Sequence, residues 1–470
     1  MFSGSDGGSA SRTRQAASVL GTGAVLLGGL ALLLLANSAS AQQSSLLNPN
    51  QDSMRIAIRN SDLPGPEDPA LCPSLIRKSA ENDGLPEIEQ QLLDRCGRVV
   101  RATSALEQAN ALQEITAEEL NAPKTNGRDF NRTMFSNIAA RLTNLRGGRG
   151  VASIAYNGTD NSIPLLHTGG AAGDSDGRVG VFLNGSFGSG DKSRTNYEAA
   201  YDFDLFALTG GVDYRFTENL IGGFALAYTD AESKYKDGSK LQSDGLAGSL
   251  FGSWYGSNYY FDGILSYGAL NHDSLRRVRY AITETNIEGE QDFIDHRASG
   301  DTDSSAFGAG LSFGFNFGSG GWRHGPLAAI SYLKIDVDGF KEKGGDNPEL
   351  NLDYGDSDAK SLQLQLGYDV SYAASLSWGV LSPYGRVVYI SEQENDRSSF
   401  LIQYVNDPFQ TVDTTATVTS DRPDSSFWRW GIGVSAVFAN NLAGFVDYEA
   451  VEDLDTISYG ELTVGLRYQF

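Results

Sequence analysis

The chain has 470 residues, a formal net charge of −23 and only 20% charged residues. Acidity of that size argues against nucleic acid or anionic headgroups as partners, because phosphate contacts need clustered Lys and Arg. Its 55 Gly are about 12% of the chain against a usual ~7%, and 21 Tyr and 23 Phe far outnumber 5 Trp.

The first element is a short apolar run, residues 25–36 (VLLGGLALLLLA). It falls well short of the ~20 residues that a transmembrane helix needs. Arg12 and Arg14 precede it, and Ala39-Ser40-Ala41 supplies a small-residue cleavage pattern before Gln42. Residues 1–41 therefore read as a secretory signal peptide, removed on export.

Residues 42–126 form a short N-terminal segment. Its start, 42–69, is polar, holds Pro64, Pro66 and Pro69, and reads as a flexible lead-in. The only two cysteines follow, Cys72 and Cys96, and in an exported protein an isolated pair is most simply one disulfide. Residues 87–101 read as a helix with Ile88, Leu92, Cys96 and Val99 on one face. A second helix is expected over 104–114, and a further turn at the capping-box pattern Thr116-x-x-Glu119. Together these predict a small helical hairpin stapled by the disulfide.

Residues 127–176 read as a linker helix and loop. The helix covers 127–146, with Phe130, Met134, Ile138, Leu142 and Leu145 as an apolar stripe and Gly147-Gly148 as its stop. Arg128, Arg132, Arg141 and Arg146 against Asp129 make it basic inside an acidic chain. Twenty residues span about 30 Å, the height of a membrane-embedded barrel. It could be an ordinary amphipathic helix packing on its neighbours. The preferred reading threads it through a barrel lumen, with its arginines facing acidic wall residues.

From 177 to 470 the apolar period switches from 3.6 to 2. Phe307, Ala309, Leu311, Phe313 and Phe315 alternate with Gly308, Gly310, Ser312 and Gly314. Leu362, Leu364, Leu366, Tyr368, Val370 and Tyr372 alternate with Ser361, Gln363, Gln365, Gly367, Asp369 and Ser371. Transmembrane strands need ~9–11 such residues and bacterial single-chain barrels an even strand count. Twelve strands are expected, starting near Arg178, Asp202, Leu220, Leu241, Tyr259, Asp303, Trp322, Lys360, Gly379, Phe427, Leu442 and Ile457. Short turns alternate with long polar links at 275–302, 341–359 and 395–426. The fold class is thus a 12-stranded antiparallel transmembrane β-barrel with a luminal α-helix, preceded by a disulfide-stapled helical segment.

The last strand alternates Leu462, Val464, Leu466, Tyr468 and Phe470 with Thr463, Gly465, Arg467 and Gln469. An alternating strand that ends the chain on an aromatic residue resembles the closing strand of bacterial outer-membrane barrels. With the preceding helix, residues 127–470 resemble the autotransporter (type V secretion) translocator domain. That resemblance implies a C-terminal barrel in the outer membrane of a Gram-negative cell, with lipid, the barrel-assembly machinery and periplasmic chaperones as partners. It also implies that 462–470 is read during assembly. The passenger departs from the family pattern, since only about 85 residues separate Gln42 from the helix.

No catalytic, cofactor or metal site is expected. Gly173-Asp174-Ser175-Asp176 and Gly355-Asp356-Ser357-Asp358 superficially resemble a GDSL esterase nucleophile. None of His167, His272, His296 or His324 has Asp three residues before it, so no oriented base follows. Two functional readings stand: a barrel that translocates or displays its own N-terminal segment, or a porin-like or surface-interaction barrel whose helical domain is periplasmic. A surface ligand of unknown kind is left open under both.

Overall fold

The computed structural model describes residues 47–60, 67–82, 84–100, 102, 104–124, 132–139, 142, 178–283, 291–438 and 441–470. The signal-peptide assignment for 1–41 lies outside these residues. The chain divides into two compact units.

The first unit ends at Thr116 and also takes in 279–294 and 406–416. Its described residues contain four helices: α1 (Pro49–Ile58), α2 (Leu71–Glu81), α3 (Glu87–Val100) and α4 (Ala105–Ile115). α1 corrects the expected lead-in. Asn48 caps it, accepting from the Gln51 amide at 2.7 Å while the Gln51 side chain accepts from the Asn48 amide at 2.8 Å, and Pro49 fills the first turn. That Asn-Pro-x-Gln pattern was a helix start written in the sequence, and the three later prolines masked it. The Cys72–Cys96 disulfide joins α2 to α3. Around it Met54, Ile58, Leu71, Leu75, Leu92, Leu112 and Ile115 are almost wholly buried. The expected capping box at Thr116 is absent. Thr116 closes α4 by donating back to the Leu112 carbonyl, and Glu118–Asn121 forms a 3₁₀ turn led by Ala117 in the left-handed region.

The second unit is the barrel, and it begins at Ala117. Its strands are β1 (Val179–Lys192), β2 (Tyr201–Thr217), β3 (Leu220–Tyr235), β4 (Lys240–Tyr255), β5 (Tyr259–Thr283) and β6 (Gln291–Phe315). They continue as β7 (Trp322–Val337), β8 (Ser357–Tyr372), β9 (Gly379–Glu392), β10 (Ser426–Phe438), β11 (Leu442–Glu452) and β12 (Ile457–Gln469). Each pairs with its sequence neighbour, and β12 closes on β1 from Gly180↔Gln469 to Lys192↔Ile457. Closure leaves no free sheet edge, the condition for strands in hydrocarbon.

The twelve strands stand where alternation put them, with one correction. The stretch 275–302 is not a long polar link: β5 runs to Thr283 and β6 starts at Gln291. Val278, Tyr280 and Ile282 keep the alternation going on the buried face, while Arg277 and Arg279 on the other face made the segment look like loop. The connections 338–356 and 393–425 are long, as expected. They carry a small four-stranded sheet, ordered Ala416–Thr419, Ser399–Tyr404, Leu352–Tyr354, Phe340–Lys341.

Along the strands one face is buried and mixes small and polar residues with rings such as Phe182 and Phe251, and the other is large, apolar and exposed. Leu246, Leu250, Leu265, Leu311, Leu366 and Leu466 are each more than half exposed. A continuous belt of that kind marks a lipid-facing wall.

Candidate functional site: the barrel lumen

The lumen is built by the inward half of each strand and by helical residues 132–139 and 142. Met134, Ile138 and Leu142 bury their side chains among Phe182, Ile221, Phe251 and Ile264 of the wall. The helix's polar face is satisfied residue by residue. Thr133 donates to Glu461 at 2.8 Å, and Ser136 to Glu449 at 3.1 Å. The Asn137 amide donates to Thr209 at 3.2 Å, and its carbonyl oxygen accepts from Ser186 at 3.1 Å. Ser186 and Thr463 are themselves bonded at 2.8 Å across the β1–β12 seam. A helix side chain therefore sits on the joint that closes the barrel.

These contacts also give the helix a direction. Arg132 and Thr133 meet Tyr459 and Glu461, near the start of β12. Asn137 meets β1 and β2 near their middles. The start of β12 lies at the end of the barrel that carries the long connections. The helix thus descends from that end towards the end of short turns.

Of the four arginines expected on this helix, Arg132 is described, and Arg128, Arg141 and Arg146 lie outside the described residues. The Arg132 guanidinium sits 3.8 Å from the centre of the Tyr459 ring, whose hydroxyl donates to Glu461 at 2.7 Å. Thr133, Ser136 and Asn137 were not singled out in the sequence. Their i, i+3, i+4 spacing was a readable polar face.

On the wall, Arg386 pairs with Asp369 at 2.6 Å, and Arg429 donates to Gln365 at 3.2 Å. A cavity of about 300 Å³ remains beside the helix, lined by Ser331, Gln363, Gln365, Arg386, Arg429 and Glu449 among others. At the mouth, residues 117–124 are packed into the rim. Burial, with Asp237 nearby, pushes the Glu119 carboxyl well above the ordinary carboxylate range.

On the closing strand, Leu462, Val464, Leu466, Tyr468 and Phe470 are all outward and at least two-fifths exposed. Glu461, Thr463, Arg467 and Gln469 are buried inward. Gly465 is a required glycine: a Cβ there would lie 2.1 Å from the Phe445 ring and 2.4 Å from Asn184 Oδ1. The Phe470 amide donates to the Val179 carbonyl at 3.0 Å, so pairing runs to the end of the chain.

The profile of the family described as "Autotransporter beta-domain" matches residues 181–449. The chain belongs to that family. Outer membrane protein B of Rickettsia prowazekii is 26% identical over 183 residues, 38% of this chain and 11% of that protein. Esterase EstA of Pseudomonas aeruginosa is 26% identical over 277 residues, 57% of this chain and 40% of that protein. The solved translocator domain of autotransporter NalP from Neisseria meningitidis is similar at 15% identity and a TM-score of 0.48, covering 72% of this chain and 99% of that one. The chain spans less than half the length of the curated relatives it matches. As an autotransporter β-domain the barrel resides in the outer membrane of a Gram-negative cell, and such a domain is generally a translocation module rather than an enzyme.

Proposed function

We propose that this autotransporter barrel carries its own N-terminal helical segment, 42–126, across the outer membrane and displays it outside. The observation that supports this most directly is where the chain enters the lumen. Residues 117–124 lie at the end of long connections, which outer-membrane barrels expose to the exterior. The helix then descends, and Val179 and Phe470 both lie at the end of short turns. A porin-like barrel with a periplasmic helical domain would need the chain to enter from the opposite end.

Export would begin with cleavage of a signal peptide after Ala41. The strand 462–470 would then be handed from periplasmic chaperones to the barrel-assembly machinery, with Leu462, Val464, Leu466, Tyr468 and Phe470 as the recognised edge. No catalysis belongs to this reading. His272 lies between Ser243 and Ser304, 2.7 Å from each, and is buried with them in the wall, so no substrate reaches the pair. The test is labelling of Leu106→Cys, a site 69% exposed, with a membrane-impermeant maleimide. Labelling on intact cells supports display; labelling only after permeabilisation overturns it.

A further inference from the structure

The luminal helix is not the only part of the chain held by the barrel. Just before it, Ala122 is 1% exposed and lies in an apolar cluster with Tyr201, Phe203, Tyr235, Leu241, Val451 and Tyr459. The rings come from β2, β3 and β12, and Leu241 and Val451 add β4 and β11, so a wide arc of the rim contributes. The Tyr235 hydroxyl donates to the Glu119 carbonyl at 2.5 Å. Lys124 is 3% exposed, donates to Ser398 at 2.9 Å and sits 5.2 Å from the Phe400 ring centre. Ala117, fully buried, holds φ at 55°. A non-glycine residue keeps that conformation only where its surroundings fix it.

We infer that residues 117–124 are a rim anchor, which keeps the N-terminal segment joined to the barrel even when the chain is severed between the anchor and the luminal helix. The grip is chemical rather than topological: a small side chain fitted among aromatic rings, a backbone carbonyl bonded by a buried tyrosine, and a lysine stem covered by loop residues. A strand merely passing through the mouth would need none of these. The inference uses the display reading only to say where the retained segment lies; retention itself does not depend on it. The segment is then a permanent fixture of the barrel and not a released product.

The test inserts a flexible linker with a site-specific protease sequence between Asn126 and Gly127 in the full chain, purified in detergent micelles. After complete cleavage, the N-terminal fragment should co-migrate with the barrel on gel filtration. With Ala122→Arg, which forces a charge among the rings, the fraction of fragment that separates should rise several-fold above the parent's, over whatever 279–294 and 406–416 of the first unit retain. Tyr235→Phe keeps the ring, removes one hydrogen bond and should speed release by roughly fivefold, which covers the case in which Arg at 122 prevents folding. Separation of the otherwise unaltered chain on cleavage would overturn the inference. So would equal retention in the parent and both variants, because the hold would then lie elsewhere. The labelling at 106 is read on uncleaved cells, so failure of display and failure of the anchor are told apart.

Discussion

Glu461 is the wall residue on which the helix contact turns, and replacing it by Ala should destabilise the barrel measurably. The residue is 6% exposed, and its carboxyl accepts from Thr133 at 2.8 Å, Tyr459 at 2.7 Å and Thr463 at 3.2 Å. Thr463 keeps a second partner in Ser186, so the donor that truncation strands is the buried Thr133 hydroxyl. A stranded donor costs about 1–3 kcal/mol. Glu461→Gln keeps an oxygen for Thr133 and should lose less. The assay is urea unfolding of the refolded barrel in lipid vesicles, followed by tryptophan fluorescence and by heat-modifiable mobility. A double-mutant cycle with Thr133→Val isolates the helix–strand bond, expected at about 0.5–1.5 kcal/mol and nearer the lower end if intramembrane bonds behave typically. Were Glu461→Ala to unfold within about 0.5 kcal/mol of the parent chain, the carboxyl would not be holding the helix, and the luminal assignment of its contacts would fail.

Other perturbations separate the remaining parts of the molecule. Leu466→Arg places a charge on the lipid face, where the cost near the midplane is about 2–4 kcal/mol, and Phe470→Ser removes the terminal aromatic. Both should lower the heat-modifiable, membrane-inserted fraction, and wild-type levels for both would sink the assembly role of 462–470. Cys72→Ser should destabilise the helical unit by ~3 kcal/mol for a loop of this length, seen as faster proteolysis of that unit with the barrel unchanged. Arg276→Ala leaves the Glu342 charge buried without its cationic partner, with only the Leu352 amide and the Tyr354 hydroxyl still donating to it, since the pair is 2% and 1% exposed and bonded at 2.7 Å. The expected loss is about 3–5 kcal/mol, read as faster hydrogen exchange over 340–354. Glu119 has a folded-state carboxyl raised above its ordinary range by burial, with Asp237 as the next cause, so its contribution is intact at acid pH and is lost as pH rises. Exchange over 117–124, corrected for its intrinsic pH dependence, should therefore quicken as pH rises above the ordinary carboxylate range, and Glu119→Gln should flatten that dependence.

What could be read from the sequence divides along the range of the interactions. Strand positions are set by side-chain period, a property of neighbours two apart, so Phe307 to Phe315 and Leu362 to Tyr372 declared themselves. The same rule reached into 275–283, where Val278, Tyr280 and Ile282 alternate. There Arg277 and Arg279 between them give the stretch the composition of a loop, which hides its period. α1 is hidden for a related reason: prolines at 64, 66 and 69 follow a cap that only Asn48 and Gln51 together specify.

The lumen was less accessible to such reading, because its contacts depend on closure. Thr133 meets Glu461 across 328 positions, and Ser136 meets Glu449 across 313. Alternation on β11 and β12 says that Glu449 and Glu461 point inward. It does not say which turn of the helix reaches them, since that follows from the helix's depth and rotation in the lumen. Charge suggested arginines against acids, and Arg132 does lie over a tyrosine bonded to Glu461. Thr133 and Ser136 bond these two acids directly, and their short side chains let the helix backbone approach the wall. A long charged side chain is a poor spacer where an entire helix must fit inside twelve strands. Arg132 lies where there is room for it, lining the cavity beside the helix together with Arg386 and Arg429.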